Sequence, residues 1–305
     1  MFEAQQLVFY SCVSPVHMGA GQAIGVIDNP IQREVHTGHP LIAGSGLKGA
    51  VRHHFTRTWQ DNELISRLFG PERNASDHAG AIAFSDATLV TFPVRSLRNT
   101  FVHATCPSAL ARLKRLAGST AAWAVPSVDE GKARLASAAI LSDKRLLLEV
   151  FDFAAAADAE VTVVADWLAT NALPPGAEHE FFRNKLKNDL VVLSDTDFGH
   201  FVRNATVIEA HVRIDDKTGA AADGALFYTE NLPPESLLVG LLLASVERRK
   251  GPGKDDLYDA DRVLAAVLHD QGERCGLHDH LLQVGGDATT GRGLLVIHAA
   301  SGDRQ

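Results

Sequence analysis

The 305-residue chain has only three cysteines, Cys12, Cys106 and Cys275, an odd number spread along its whole length. Neither a disulfide framework nor a zinc knuckle can be built from them, so a reducing compartment is expected. Long apolar runs are also missing. The longest, Leu237–Val246, falls well short of the ~18 residues that cross a bilayer and reads as a core segment. The start, MFEAQQLVFYSCV, lacks the basic stretch and small-residue cleavage site of a signal peptide. A cytoplasmic protein without membrane attachment is the expectation. The phosphate-loop pattern G-x-x-x-x-G-K-[ST] does not occur, and there is no internal repeat or low-complexity tail.

What is present suits a globular fold. Hydrophobic residues make up 46% and charged residues 22%, enough for a proper core in one large domain or two. The net charge of −8 is awkward for a nucleic-acid binder, whose affinity rests on Lys and Arg. Distribution matters more than the sum. Acidic residues gather in Asp152–Glu180, Asp215–Glu235 and Asp255–Asp270, whereas Arg33–Arg57 and Arg95–Lys144 lean basic. A protein that tracks a phosphate backbone with one face would look like this, and so would an ordinary acidic enzyme.

The stretch Ser14–Phe55 is the most informative. It holds Gly19, Gly21 and Gly25, then Gly44, Gly46 and Gly49 immediately ahead of a helical pattern, with Lys48 and Arg52 beside them. Glycine-rich backbone entering a helix N-terminus is a natural anion site, because amide N–H groups and the helix dipole point the same way. Gly44-Ser45-Gly46-Leu47-Lys48-Gly49 also fits the dinucleotide fingerprint G-x-G-x-x-G by letter. That fingerprint wants a strand before it and an acidic residue closing the next strand about 20 positions on, whereas Asp61 and Glu63 sit in an apparent helix. A polyphosphate backbone such as RNA, a nucleotide cofactor and a purely structural turn all stay open, the first being favoured. A second loop, Gly285–Gly293, carries Thr289, Thr290 and Arg292 as further donors, suggesting that both loops meet over one ligand.

Periodicity predicts an α+β fold. Strands are expected at Leu7–Val13, Ala81–Val94 (with a turn near Ser85-Asp86), Val161–Val164, Val207–Ile214, Ala225–Tyr228, Leu281–Val284 and Leu294–His298. Helices are expected at Ser45–Thr58, Asp61–Phe69, Pro107–Ala117, Asp129–Phe153, Asp166–Ala172, Phe181–Asp189 and Asp256–Asp270. Leu237–Arg248 is ambiguous. The pair 207–214 and 225–228 makes a β-hairpin with a long polar tip.

Pro30-Ile31-Gln32-Arg33-Glu34, Gly44–Gly49 running on to Arg52, Asp223-Gly224-Ala225-Leu226-Phe227 with Leu232-Pro233-Pro234, and Gly285–Gly293 occur in a fixed order. Together they resemble the backbone RAMP subunits of the Cmr complex, the type III-B CRISPR–Cas effector, over most of the chain. The resemblance implies an RRM-like, ferredoxin-type palm over 1–194 and 236–305 with a helical insertion, and a β-hairpin thumb over 195–235. It implies copies stacked in a helix along a CRISPR guide RNA, other Cmr subunits as partners, and cleavage of a bound single-stranded target RNA by each copy. Asp28 matches the loop aspartate the family needs for cleavage, as a base or as ligand to a divalent cation, Mg or Mn, supplied at the RNA site. Its own chemistry also allows a plain turn role, since Asp-Asn-Pro is good turn material. His17 is read as donor to the leaving oxygen or contact to the scissile phosphate, with a structural role as the alternative. Asp86 and Glu230 align with acidic positions the family places near the cut, or else cap and anchor. The RNA contacts expected are Gly44, Ser45, Gly46, Lys48, Gly49, Arg52, Gly286, Thr290, Gly291 and Arg292. His36-Thr37-Gly38-His39 and His278-Asp279-His280 lack the spacing of a helical zinc site, and no structural metal is expected there. A non-cutting scaffold of the same fold, binding guide RNA, is the rival function.

Overall fold

A computed structural model describes residues 2–21, 25–73, 77–222, 224–248 and 257–301. Its strands are β1 (Ala4–Cys12), β2 (Leu41–Ile42), β3 (Ile82–Phe84), β4 (Ala87–Arg95), β5 (Phe101–Thr105), β6 (Lys132–Leu135), β7 (Arg145–Leu148), β8 (Phe151–Ala157), β9 (Leu190–Leu193), β10 (Val207–His211), β11 (Phe227–Asn231), β12 (Leu237–Ala244), β13 (His280–Gln283) and β14 (Leu294–Ala299). Its helices are α1 (Gly44–Thr58), α2 (Asn62–Phe69), α3 (Pro107–Ala117), α4 (Ala159–Asn171), α5 (Glu180–Asn188), α6 (Asp195–Asn204) and α7 (Ala260–Leu268). The fold is α+β, with a large, mostly antiparallel sheet in the order β13-β14-β1-β12-β4-β5-β9-β6-β8-β7, to which β2 and β3 add at β4 and β12. β10 and β11 form a separate two-stranded ribbon.

β1 shows why the sheet is covered on both faces. Val8, Tyr10 and Cys12 face a core built with Leu47, Val51 and Phe55 of α1, Leu64 and Leu68 of α2 and Val263 and Val267 of α7. The alternate residues Leu7 and Phe9 face a second core with Leu110 and Leu113 of α3, Val161, Val164 and Leu168 of α4 and Leu186 of α5. A strand buried on both sides reads as a continuous apolar run, which Leu7–Tyr10 is, and so does β12, whose sequence alone left it ambiguous.

Most expected elements form, some with shifted ends: the strand expected at Val207–Ile214 stops at His211, and the helix expected at Asp166–Ala172 is the second half of α4. Asp129–Phe153, expected as a helix, is found as β6, β7 and the start of β8. Residues 132–135 and 145–148 alternate exposed and buried, the period of a strand, and Gly131, Asp143, Lys144 and Glu149 all turn with positive φ. Val161–Val164, expected as a strand, lies inside α4, where Asp158 caps the helix by accepting the Glu160 N–H at 2.8 Å. Sheet neighbours settle β5 and β9, which sequence reading missed. Asp256, the first residue of the expected 256–270 helix, Asp223 of the quoted motif and residues 22–24 of the first glycine segment lie outside the described residues, and the helix itself begins at Ala260. At one corner the chain folds back on β4: Glu149 N–H bonds Arg95 O at 3.0 Å and Leu97 N–H bonds Leu147 O at 3.1 Å. The β4–β5 and β7–β8 turns are therefore neighbours.

Candidate functional site

The residues singled out from sequence fall into two groups, joined by one side chain. The first surrounds the outer edge of β11. Asp28 is exposed, and its Oδ2 accepts the Tyr228 N–H at 2.8 Å. Asn29 N–H bonds Tyr228 O at 3.0 Å and Glu230 N–H bonds Asn29 O at 2.9 Å, so residues 28–29 run alongside β11 on the edge that β10 leaves free. Two residues along, the Glu230 carbonyl lies 2.7 Å from His17 Nδ1. That contact is a hydrogen bond only when Nδ1 carries a proton, so the neutral ring holds its lone pair on Nε2. The anchor points of Asp28 and His17 are thus about 7 Å apart along one strand edge.

Glu230 itself is almost fully buried. Its carboxylate accepts from the Ile31 N–H at 3.0 Å, from the Thr206 hydroxyl at 2.8 Å and from the Arg33 guanidinium. Arg33 also donates to Gly38 O and Val202 O, both at 2.8 Å. Gln32 donates to Gly19 O and accepts from Ala43 N–H, both at 3.1 Å. Within the quoted motif, Arg33 is therefore the clamp that holds the loop on β11, and Gln32 ties it to Gly19 and Ala43. Sequence reading gave these two residues, and Thr206, no role; two long polar side chains in a loop between apolar residues were the available signal.

The second group surrounds the start of α1. The α1 N-terminus has no acidic residue in its first turn, and Asp86 supplies the negative charge, its Oδ1 accepting the Gly44 N–H at 2.8 Å. Asp86 is thus a capping carboxylate. Gly44 is a packing glycine: a Cβ there would sit 2.2 Å from Phe84 O. Lys48 bends back to donate to Ile82 O at 3.0 Å, and burial, with Arg52 next to it, lowers its amine below the ordinary lysine range. Ser45 and Gly49 are exposed, and the space over Gly49 is open.

Met18 joins the groups. A Cβ on Gly46 would lie 2.9 Å from Met18 Cε, and one on Gly285 would lie 2.9 Å from Met18 Sδ and 2.3 Å from His17 O. Gly286 N–H bonds the same His17 carbonyl at 2.9 Å. The two glycine loops do meet, and what they close over is the chain's own His17-Met18. Of the other donors, Thr290 Oγ1 bonds Asp287 O at 2.8 Å and Arg292 pairs with Glu209 of β10 at 2.5 Å, while Gly291 is exposed with open space above it.

The histidine-rich C-terminal segment lies elsewhere. Asp279 bonds His298 Nδ1 at 2.5 Å and lies 3.5 Å from His278 Nε2, whereas His280 pairs with Asp270 at 3.2 Å. His278 Nδ1 accepts the Ala299 N–H at 3.0 Å, which leaves the proton on Nε2. The neutral ring then turns an N–H toward Asp279, which lies between His278 and His298 in a cluster of three groups with ligand atoms within 4.8 Å of one another. No helix among the described residues is long and apolar enough to cross a membrane.

The chain matches the family described as the RAMP superfamily over residues 9–296. It is 31% identical to the CRISPR system Cmr endoribonuclease Cmr4 of Pyrococcus furiosus over 297 residues, covering 95% of this chain and 94% of that protein. It is 24% identical over 311 residues to the CRISPR system CMR subunit Cmr4 of Saccharolobus solfataricus, covering 94% of each. Among solved structures, oligomeric Cmr4 from Pyrococcus furiosus superposes with a TM-score of 0.73 at 26% identity, covering 98% of this chain and 99% of that one. A chain of the type III-B Cmr-beta complex bound to cognate target RNA shares the fold, with a TM-score of 0.71 at 18% identity over 98% of each chain.

Proposed function

The chain belongs to the RAMP superfamily, and from that membership we propose that it is the guide-RNA-binding backbone subunit of a type III-B CRISPR effector and an endoribonuclease that cuts the bound target RNA. The observation that carries the reading is the match over 95% of the chain to a relative named a Cmr endoribonuclease. In this reading the sheet with its helices is an RRM-like palm, the β10–β11 ribbon is the thumb, and copies stack along the guide with other Cmr subunits at the ends.

The chemistry assigned is attack by the target's own 2′-OH on the neighbouring phosphate. Asp28 takes the hydroxyl proton: Oδ2 is occupied by Tyr228, and Oδ1 is without a protein partner among the described residues. His17, held by Glu230 O, presents Nε2, and its protonated form donates to the leaving 5′-oxygen. Glu230 and Asp86 hold backbone in this reading, and neither takes part in proton transfer. Were a magnesium or manganese ion supplied with the RNA, the same Oδ1 would hold it in place of taking the proton, and the ion would supply neutralisation of charge at the phosphate.

Asp28→Asn tests the assignment, because the amide oxygen still accepts the Tyr228 N–H while the base is lost. In the assembled complex, target cleavage falls by about 10²–10⁴-fold, with guide binding and melting temperature unchanged. Cleavage at the parent rate would remove Asp28 from the chemistry. A wild-type complex that binds target without cutting it would favour the scaffold function.

A further inference from the structure

The turn that leads into β12 holds one residue that the fold itself does not favour. Pro233, Pro234, Glu235 and Ser236 make a turn closed by the Ser236 N–H on Pro233 O at 3.3 Å, and Glu235 takes its third position with φ 67°. That left-handed position, directly after a proline, suits glycine or asparagine, because a β-carbon there crowds the backbone. The Glu235 N–H bonds Cys12 O at 2.7 Å, which fixes the turn over the end of β1. Its side chain is no better placed. Glu235 is half-buried, and among the described residues its carboxyl has no hydrogen-bond or ion-pair partner. Glycine would relieve both the backbone strain and the desolvation. A residue that costs the fold twice, and recovers neither cost within it, marks a functional position.

Glu235 lines a cavity of about 690 Å³ that opens where β1, β13 and β14 meet the segment before α5. Val13, Leu173, Phe182, Leu281 and Val296 make its walls largely apolar. Three carboxylates line it, those of Glu178, Glu235 and Asp279, and no Lys or Arg does. Glu178 lies 4.0 Å from His179 and Asp279 bonds His298 at 2.5 Å, so Glu235 is the one left to a ligand. The volume falls within the roughly 300–1,000 Å³ of small-molecule sites. An anion would meet carboxylates and no cation there, and a neutral apolar molecule would leave the Glu235 carboxylate desolvated and unpaired.

We propose that this cavity binds a small organic cation, a protonated amine on an apolar body, with the Glu235 carboxylate holding the nitrogen and the walls covering the rest. The cavity shares no residue with the group around Asp28 and His17, so this binding holds whether or not the chain cuts RNA. A pH signature follows. Burial raises the Glu235 carboxyl to about 7, with the Lys185 charge acting the other way. A bound cation favours the ionised carboxylate, so binding expels a proton below neutral pH, and affinity should fall about tenfold from pH 8 to pH 6.

Calorimetric titration of the full chain with phenethylamine, 2-phenylethanol and methylamine tests this. Phenethylamine should bind at least tenfold more tightly than the neutral alcohol, which lacks the charge, and than methylamine, which lacks the apolar body. Glu235→Gln keeps the shape and should cost phenethylamine about tenfold or more while leaving the alcohol unchanged. His54, His179 and His280 also line the cavity and gain protons over the same range, so the pH series is repeated on Glu235→Gln, whose remaining affinity should change less. Glu235→Gly should raise the melting temperature and abolish the preference for the amine. Equal affinity for amine and alcohol, an unchanged Glu235→Gln, or no binding of phenethylamine would overturn the proposal. A lower melting temperature for Glu235→Gly would also overturn it, by returning the glutamate to the packing of the fold.

Discussion

Single residues in this protein divide by whether their polar atoms are already engaged. Arg33 is the clearest engaged case, with its guanidinium shared between Glu230 and two backbone carbonyls. Arg33→Ala leaves a buried carboxylate without its cation, which typically costs about 3–5 kcal/mol. A lower melting temperature and lost cleavage are therefore expected together, unlike Asp28→Asn, which should spare stability. An unchanged melting curve for Arg33→Ala would deny the clamp. His39 gives a pH signature. Buried against Phe198, its ring is driven by desolvation down to about 4. Between that value and the unfolded 6.5 the unfolded chain binds the extra proton, so this contribution to stability is whole above pH 6.5 and fades as pH falls toward 4. The limiting slope is about 1.4 kcal/mol per pH unit. Glu235 works in the opposite sense, since burial raises its carboxyl to about 7 and stability drops as pH rises from 4.5 through 7. Denaturant melts of His39→Leu between pH 4 and 7 should show a shallower pH dependence than wild type; an identical slope would remove His39 as its source.

At the scale of elements, glycines decide how α1 sits. Gly44 has backbone from the β3–β4 turn where a Cβ would go, whereas Gly49 has nothing within 4 Å of its Cβ position. Gly44→Ala should push α1 off the turn and destabilise the fold strongly. Gly49→Ala should stabilise it by about 0.5–1 kcal/mol, because a helix-interior glycine gains from the substitution. RNA binding then separates structure from function. If the exposed Gly49 surface meets the RNA backbone, Gly49→Ala raises the melting temperature and weakens binding, and filter binding beside calorimetry reads both. Equal affinity would move the RNA off this face of α1. The β11 edge is the other decisive element, since one strand orients both His17 and the Asp28 loop.

For the whole molecule, the expectation is periodicity. If copies stack as proposed, with one Asp28 in each, target fragments should form an evenly spaced ladder set by subunit rise and indifferent to target sequence. Attack by the 2′-OH should leave a 2′,3′-cyclic phosphate or its hydrolysis product, and a 5′-OH on the other fragment. A single 2′-deoxy nucleotide should silence its own cut alone in an end-labelled target. Undiminished cleavage there would make water the nucleophile.

Local patterns carried much of this protein. The strand runs of β1 and β14, the helices α1, α3 and α5, and the hairpin all follow from period and punctuation that neighbouring residues supply. The loop bearing Asp28 and the two glycine-rich segments were equally visible, because glycine and Asp-Asn-Pro act through their own backbones. Three things were decided only in tertiary structure. β6 to β8 became strands because β9 and the fold-back onto β4 offered them partners, and a four-residue run such as Lys132–Leu135 has too little period of its own to compete with helix. The glycines at Gly44, Gly46 and Gly285 turned out to admit Phe84, Met18 and His17, a fact about chain segments far apart in sequence. Charges legible as RNA or catalytic groups, Lys48, Arg292, Asp86 and Glu230, found partners within the fold, because desolvation makes an unpaired charge costly and only packing determines which charges are desolvated.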